Sequence, residues 1–85
     1  MILYGKLIKG TKTIKEAFVE KSEEGISFRD ALEECFIGLC KELDIEVPLW
    51  IKKNTTEFVN YRRTFFTRDQ FMDEVLFDRL EIRIG

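Results

Sequence analysis

The stretch SFRDALEECFIGLCKELD, residues 27–44, has the pattern of an amphipathic helix, and the rest of the chain is organised around it. Ser27 is a favoured N-cap residue, because its hydroxyl can accept a hydrogen bond from a free backbone N–H of the first turn. Apolar side chains recur at steps of three and four residues, at Phe28, Leu32, Cys35, Phe36, Leu39 and Leu43. They fall within an arc of roughly 100°, the width of a core-facing stripe. We therefore expect a long helix with one face buried.

Ile37 points away from this stripe. It lies about 180° from Phe28 around the helix axis, among charged residues. A single exposed aliphatic residue is common in soluble proteins, but it can also mark a surface that a partner covers. Ile37 is therefore a candidate interface residue.

Two strands joined by a tight turn are predicted before the helix. Residues 2–8 are rich in Ile, Leu and Tyr, and residues 13–20 form the returning strand. Gly10 between them suits the first central position of a two-residue type II′ turn. A turn at this position places Leu3 opposite Phe18.

The first strand is apolar on both of its faces. Leu3 and Leu7 lie on one face, whereas Tyr4 and Ile8 lie on the other. A strand with two apolar faces is usually central in a sheet or covered on both sides. Tyr4 and Ile8 are therefore further candidate interface residues.

Shorter elements are expected after the long helix. Pro48 prevents an easy continuation of that helix, and Asn54 opens a cap-like pattern that predicts a short helix over residues 55–63. Thr67 begins a similar pattern, which predicts one or two helical turns. Alternating apolar residues then predict a closing strand within residues 75–84.

This order of elements predicts an α+β fold in a single domain, residues 1–85. We expect a small three-stranded antiparallel sheet, made of the N-terminal hairpin and the C-terminal strand, packed by one long helix and short helical segments. The closing strand is placed beside the first, because the first strand needs neighbours on both edges. Asp78 interrupts the apolar face of the closing strand, and we expect its carboxylate to cap backbone N–H groups there.

The pattern of the second half resembles a group of small uncharacterised bacterial proteins of similar length. The matching residues are Pro48-x-Trp50, Asn54-x-x-Glu57-Phe58, Thr64-x-Phe66, Asp69-x-Phe71 and Phe77-Asp78-x-x-Glu81-Ile82, together with the opening Tyr4-Gly5-Lys6-Leu7-Ile8-Lys9. The resemblance covers most of the chain. That group has no assigned activity, so the resemblance implies no catalytic or binding residues.

The residue types argue against several classes of function. The chain has no histidine, which removes the commonest general base and metal ligand. No glycine-rich loop precedes a helix, and Cys35 and Cys40 lie on one helix where they cannot bond to each other. We therefore expect a protein that is not an enzyme and that has no catalytic residues, no cofactor and no metal.

Charge and hydropathy indicate a soluble, cytoplasmic protein. A net charge of −2 gives no global attraction to nucleic acid or to an anionic membrane. No apolar run approaches about 18 residues, and residues 1–6 lack a secretory pattern. We therefore expect no membrane contact.

Residues 49–68 are the one segment where the charge changes sign. They hold five Lys and Arg against one Glu, a net charge of +4, with aromatic residues between the cations. Cations for phosphate and rings for stacking are what a single-stranded nucleic-acid surface uses. Such a surface would consist of Trp50, Lys52, Lys53, Tyr61, Arg62, Arg63 and Arg68. The aromatic residues also keep a helical spacing, which favours a core, and we therefore expect no nucleic-acid binding.

The leading hypothesis is a non-enzymatic protein-interaction domain that acts as a homodimer, with an unknown protein partner beside it. Aromatic residues make up 13% of the chain and, with arginine, are the usual anchors of protein interfaces. The alternative is a weak single-stranded nucleic-acid-binding module that uses residues 49–68.

Overall fold

The computed structural model describes residues 1–85, and its first helix, α1, spans Phe28–Glu42. Ser27 caps this helix as predicted, because its Oγ accepts a hydrogen bond from the backbone N–H of Asp30 at 3.1 Å. At the other end, Nζ of Lys15 donates to the carbonyl of Leu43 at 3.1 Å. A cation in this position also meets the negative end of the helix dipole. Both ends of α1 are therefore fixed by side chains.

Four antiparallel strands form one sheet. They are β1 (Ile2–Lys9), β2 (Lys12–Glu20), β3 (Arg63–Thr67) and β4 (Arg79–Ile84), and their order across the sheet is β2-β1-β4-β3. A second helix, α2 (Lys52–Tyr61), and a short 3₁₀ turn (Arg68–Gln70) flank β3. The α+β class and the position of the closing strand beside the first are confirmed. The predicted three-stranded sheet is wrong, because β3 adds a fourth strand beside β4.

β3 begins at Arg63, the last residue of the helix predicted over residues 55–63, because α2 already ends at Tyr61. Arg62 adopts the left-handed conformation with φ at 58°, and its N–H donates to the carbonyl of Phe58 at 2.9 Å. This C-terminal cap ends α2, and the chain enters β3 at the next residue. Phe65 therefore lies on a strand and not on the helix face that carries Phe58.

The N-terminal hairpin contains a β-bulge that changes its register. Gly10 makes the turn with φ at 62°, as predicted. Beyond the turn, Ile14 is an extra residue in β2 without a partner in β1, so every later pair is shifted by one residue. Phe18 consequently lies opposite Tyr4 and not, as predicted, opposite Leu3.

Helix α1 packs on one face of the sheet, which we call the inner face. The buried strand residues in its core cluster are Leu3, Leu7, Phe66, Leu80 and Ile82. Gly5 lets α1 approach β1 closely, because a β-carbon at this position would lie 2.7 Å from Cδ2 of Leu39. The opposite face, which we call the outer face, has exposed side chains such as Lys6 and Phe18. No helix in the structure combines the length and the apolar character that crossing a membrane requires.

Candidate functional site

The outer face of the sheet exposes aromatic side chains. Phe18 on β2 is 61% exposed, and its ring centroid lies 5.9 Å from that of Tyr4 on β1. Phe65 on β3 is half-buried on the same face. Exposed aromatic residues on an uncovered sheet face are typical of a surface that binds a partner.

Charges on the outer face are ordered across the strands. They are Glu16 and Glu20 on β2, Lys6 on β1, Arg79, Glu81 and Arg83 on β4, and Arg63 on β3. Arg79 and Glu81 pair with each other at 2.8 Å, whereas the remaining charges of this face have no ion-pair partner. The face therefore runs from acidic at β2 to basic at β3 and β4.

Arg63 and Arg83 are direct cross-strand neighbours on this face. Like charges in such a position repel each other, and no carboxylate pairs with either one. The guanidinium carbon of Arg83 lies 4.3 Å from the ring centroid of Tyr4, a cation–π contact. Both arginines line a groove of about 480 Å³, together with Tyr4, Tyr61, Phe65, Glu57 and Glu81. The groove therefore offers three cations without an ion-pair partner, Lys6, Arg63 and Arg83, beside aromatic rings.

The three candidate interface residues do not lie on one surface. Tyr4 is half-buried on the outer face, and Ile8, four residues further along β1, is buried outside the main core cluster. Ile37 is 38% exposed on the side of α1 that faces away from the sheet. The structure thus places Tyr4 and Ile8 on one strand of the sheet and Ile37 on the helix.

The basic segment, residues 49–68, does not form one continuous surface. Trp50 packs against three aromatic rings of the core. Nζ of Lys53 lies 3.9 Å from the ring centroid of Phe65, and Arg68 pairs with Asp78 at 2.7 Å. The members that remain exposed and without such a contact are Lys52, Tyr61, Arg62 and Arg63. Of the seven residues of the predicted nucleic-acid surface, only Tyr61 and Arg63 line the groove.

Asp78 has the structural role that the sequence predicts. Its Oδ2 accepts a hydrogen bond from the N–H of Gly10 at 2.6 Å, and its Oδ1 pairs with Arg68 at 2.7 Å. The hydrogen bond from Gly10 is the main cause that holds the pKa of the Asp78 carboxyl below its usual value, and Arg68 adds to it. The carboxylate thus ties the hairpin turn to the entry of β4.

The two cysteines are buried free thiols on α1. Burial raises the pKa of the Cys35 thiol, and it raises the pKa of the Cys40 thiol to about 12. Both thiols are therefore protonated at neutral pH, which makes them poor nucleophiles.

Sequence reasoning did not single out Phe18, Glu16 or Arg83 as site residues. The alternation of Glu16, Phe18 and Glu20 is the signal that could have placed Phe18 on a polar, uncovered face. The bulge in β2 hides this signal, because the simple hairpin register places Phe18 in the core. No protein-family model, curated protein or solved structure matches the chain.

Proposed function

We propose that the protein is a non-enzymatic interaction domain that acts as a homodimer through the outer face of its sheet. The observation that carries the proposal is the exposed ring of Phe18 beside the half-buried ring of Tyr4, flanked by acidic residues on one side and basic residues on the other. A folded chain gains from covering such a pair, because apolar area leaves water.

The order of charges favours a second copy as the occupant. A two-fold axis that runs between the sheets, parallel to the strands, would bring β2 of one copy over β3 of the other. Glu16 and Glu20 would then face the partner's Arg63 across the interface. An axis perpendicular to the strands would place acid against acid. Charge complementarity therefore selects an aligned packing of sheet on sheet.

The free edge of β2 is a less suitable surface for self-association. This strand has nine residues and no neighbour at its free edge. The bulge at Ile14 distorts the edge, and Lys15 points inward to the end of α1. Bulges and inward-pointing charges are devices that hinder edge-to-edge pairing. We therefore assign self-association to the outer face.

Phe18→Asp is expected to convert the dimer into a monomer, because it removes the more exposed ring of the aromatic pair and introduces a carboxylate that loses water when the interface forms. Four strands about 4.8 Å apart form a small face, so we expect a dissociation constant on the order of micromolar for the unmodified protein. Light scattering after gel filtration, at several protein concentrations, measures the oligomeric state of the variant and the dissociation constant of the unmodified protein. Phe18 is exposed in the monomer, and circular dichroism should show an unchanged fold.

Ile37→Asp is the matched control, since it makes the same change on the opposite side of the molecule. It should leave the dimer intact. The proposal is wrong if the unmodified protein stays monomeric at high micromolar concentration, or if Ile37→Asp dissociates the dimer and Phe18→Asp does not.

Single-stranded nucleic-acid binding is a second candidate, supported by the unpaired neighbours Arg63 and Arg83. A phosphate could accept hydrogen bonds from both guanidinium groups, while a base stacks on the exposed ring of Tyr61. Glu57 and Glu81 line the same groove and oppose a polyanion. Such binding would therefore be weak, micromolar at best near physiological salt.

We expect no such binding, because the proposed dimer covers the groove. Fluorescence anisotropy of labelled single-stranded RNA and DNA, at low and moderate salt, tests this expectation. Arg63→Glu with Arg83→Glu is the informative variant, and Lys12→Glu with Lys41→Glu makes an equal charge change at exposed positions outside residues 49–68. Salt-sensitive binding that only the first variant abolishes would replace the dimer proposal with this alternative.

A further inference from the structure

A second groove lies on the helix side of the sheet, at the C-terminal end of α1. It has a volume of about 350 Å³ and includes residues 43–46 and 73–77 in its lining. The two segments are joined by a hydrogen bond from the N–H of Asp73 to Oε1 of Glu46 at 2.9 Å. The apolar side chains of the lining are Leu7, Leu43, Ile45, Val75, Leu76 and Phe77. The groove can therefore receive the apolar part of a ligand.

Carboxylates surround this apolar lining. Asp44, Glu46, Asp73 and Glu74 all belong to the groove, and none of them is ion-paired within the chain. Lys15 is the only cation of the lining, and its Nζ is engaged with the carbonyl of Leu43. Four carboxylates against one ammonium give the groove a negative charge.

Apolar side chains beside the groove are left uncovered. Leu76 is 80% exposed, and Met72 on the same loop is 96% exposed. Leu49 is 66% exposed, and its backbone N–H donates to the carbonyl of Gln70 at 2.7 Å, which holds the segment of Leu49 beside this loop. Exposed apolar residues on adjoining segments, bordered by charges, are typical of a protein-interaction surface.

An arginine side chain suits both properties of the groove. Its methylene stem can pack on the apolar lining, while its planar guanidinium donates hydrogen bonds to the carboxylates. Phosphates and acidic lipids are repelled by the same carboxylates. A second copy is also disfavoured, because a two-fold contact at this groove would bring two sets of like charges together.

We propose that this groove docks a segment of a partner protein in which an arginine lies next to an apolar residue. The arginine enters the groove, and its apolar neighbour packs on Leu76 and Met72. The groove lies on the helix side and the dimer surface on the outer face, so one chain can hold both contacts at once. The proposal thus stands independently of the homodimer.

The probe is a blocked synthetic peptide of alternating leucine and arginine, added to the ¹⁵N-labelled full chain. Its counterpart carries citrulline, an uncharged analogue of the same shape, in place of arginine. The arginine peptide should cause saturable shifts of the amide signals of Ile45 and of residues 73–77, and none for Phe18. The citrulline peptide should bind at least about fivefold more weakly.

Two pairs of substitutions test the role of the carboxylates. Asp73→Asn with Glu74→Gln should weaken binding of the arginine peptide roughly threefold to tenfold. Glu24→Gln with Glu33→Gln removes the same charge from exposed positions elsewhere and should leave binding unchanged.

Leu76→Ser should weaken both peptides, and its side chain is exposed enough for the fold to survive. Three results overturn the proposal. The first is equal affinity of the protein for the two peptides, and the second is peptide-induced changes of amide signals that are confined to the outer face. The third is a change of the groove's amide signals when the protein concentration alone is raised, which would identify a second copy as the occupant.

Discussion

Leu39→Ala is expected to lower the free energy of unfolding by about 2–5 kcal/mol. Leu39 is completely buried near the C-terminal end of α1 and belongs to the core cluster that joins the helix to the sheet. Removing its isobutyl group loses apolar burial and leaves a cavity, which the rigid strands beneath can fill only in part. Urea denaturation followed by circular dichroism measures the loss.

Gly5 provides a second test of the same contact, because it faces Leu39 directly. A β-carbon at Gly5 would lie 2.7 Å from Cδ2 of Leu39 and 3.1 Å from its Cγ. Gly5→Ala alone should therefore destabilise the protein by about 1–3 kcal/mol through overpacking. In the Leu39→Ala background the methyl group that Gly5→Ala adds enters the cavity. The loss of stability caused by Gly5→Ala should therefore be smaller there, or become a gain. Additive effects in the double variant would contradict the contact between helix and strand.

The long helix and residues 79–84 of the closing strand, expected within residues 75–84, are predictable because their signals are local. Ser27 and the apolar stripe act within a few residues of each other, and they define α1 without reference to the rest of the chain. The alternation of Leu80, Ile82 and Ile84 similarly marks the inner face of β4. For these elements, local preference and tertiary packing agree.

The fourth strand is not predictable from the same rules. Arg62 ends α2 in the left-handed conformation, which glycine or asparagine usually adopts, so the sequence contains no stop signal there. The spacing of Phe58, Tyr61 and Phe65 then favours a longer helix. Pairing with β4 overrides this preference, since Phe65 lies opposite Glu81 in the sheet. The prediction failed because the deciding contact is distant in sequence.

The outer face and the second groove are also products of tertiary structure. The bulge at Ile14 decides which face carries Phe18, and a single extra residue leaves little trace in a strand pattern. Arg63 and Arg83 become neighbours only through the pairing of β3 with β4. The groove joins two segments without periodicity, so only its acidic character is visible in the sequence.

Asn54 is the one polar residue among the large, fully buried side chains. Its side-chain amide makes all four hydrogen bonds of which it is capable. Its Oδ1 accepts hydrogen bonds from the N–H of Ile51 at 3.0 Å and from Nε2 of Gln70 at 2.8 Å. Its Nδ2 donates to Oγ1 of Thr64 at 2.8 Å and to the carbonyl of Phe65 at 2.9 Å. One side chain thus joins the start of α2, the edge strand β3 and the 3₁₀ turn, which are the parts that sequence patterns predict least well.

Asn54→Ala should therefore destabilise the protein by about 3 kcal/mol, because it leaves several buried donors and acceptors without partners. Asn54→Asp keeps the size and the acceptors but cannot donate to Thr64 or Phe65 while it is ionised. Burial raises the pKa of such a carboxyl, and a group with a raised folded-state pKa destabilises the protein increasingly as the pH rises. The loss of unfolding free energy of Asn54→Asp relative to the unmodified protein should therefore be larger at pH 7 than at pH 5. Asn60→Asp, an exposed change on the same helix, is the control and should cost little at either pH. Urea denaturation at both pH values decides the matter, and equal stability of the two aspartate variants would show that the amide of Asn54 does not hold β3 in place.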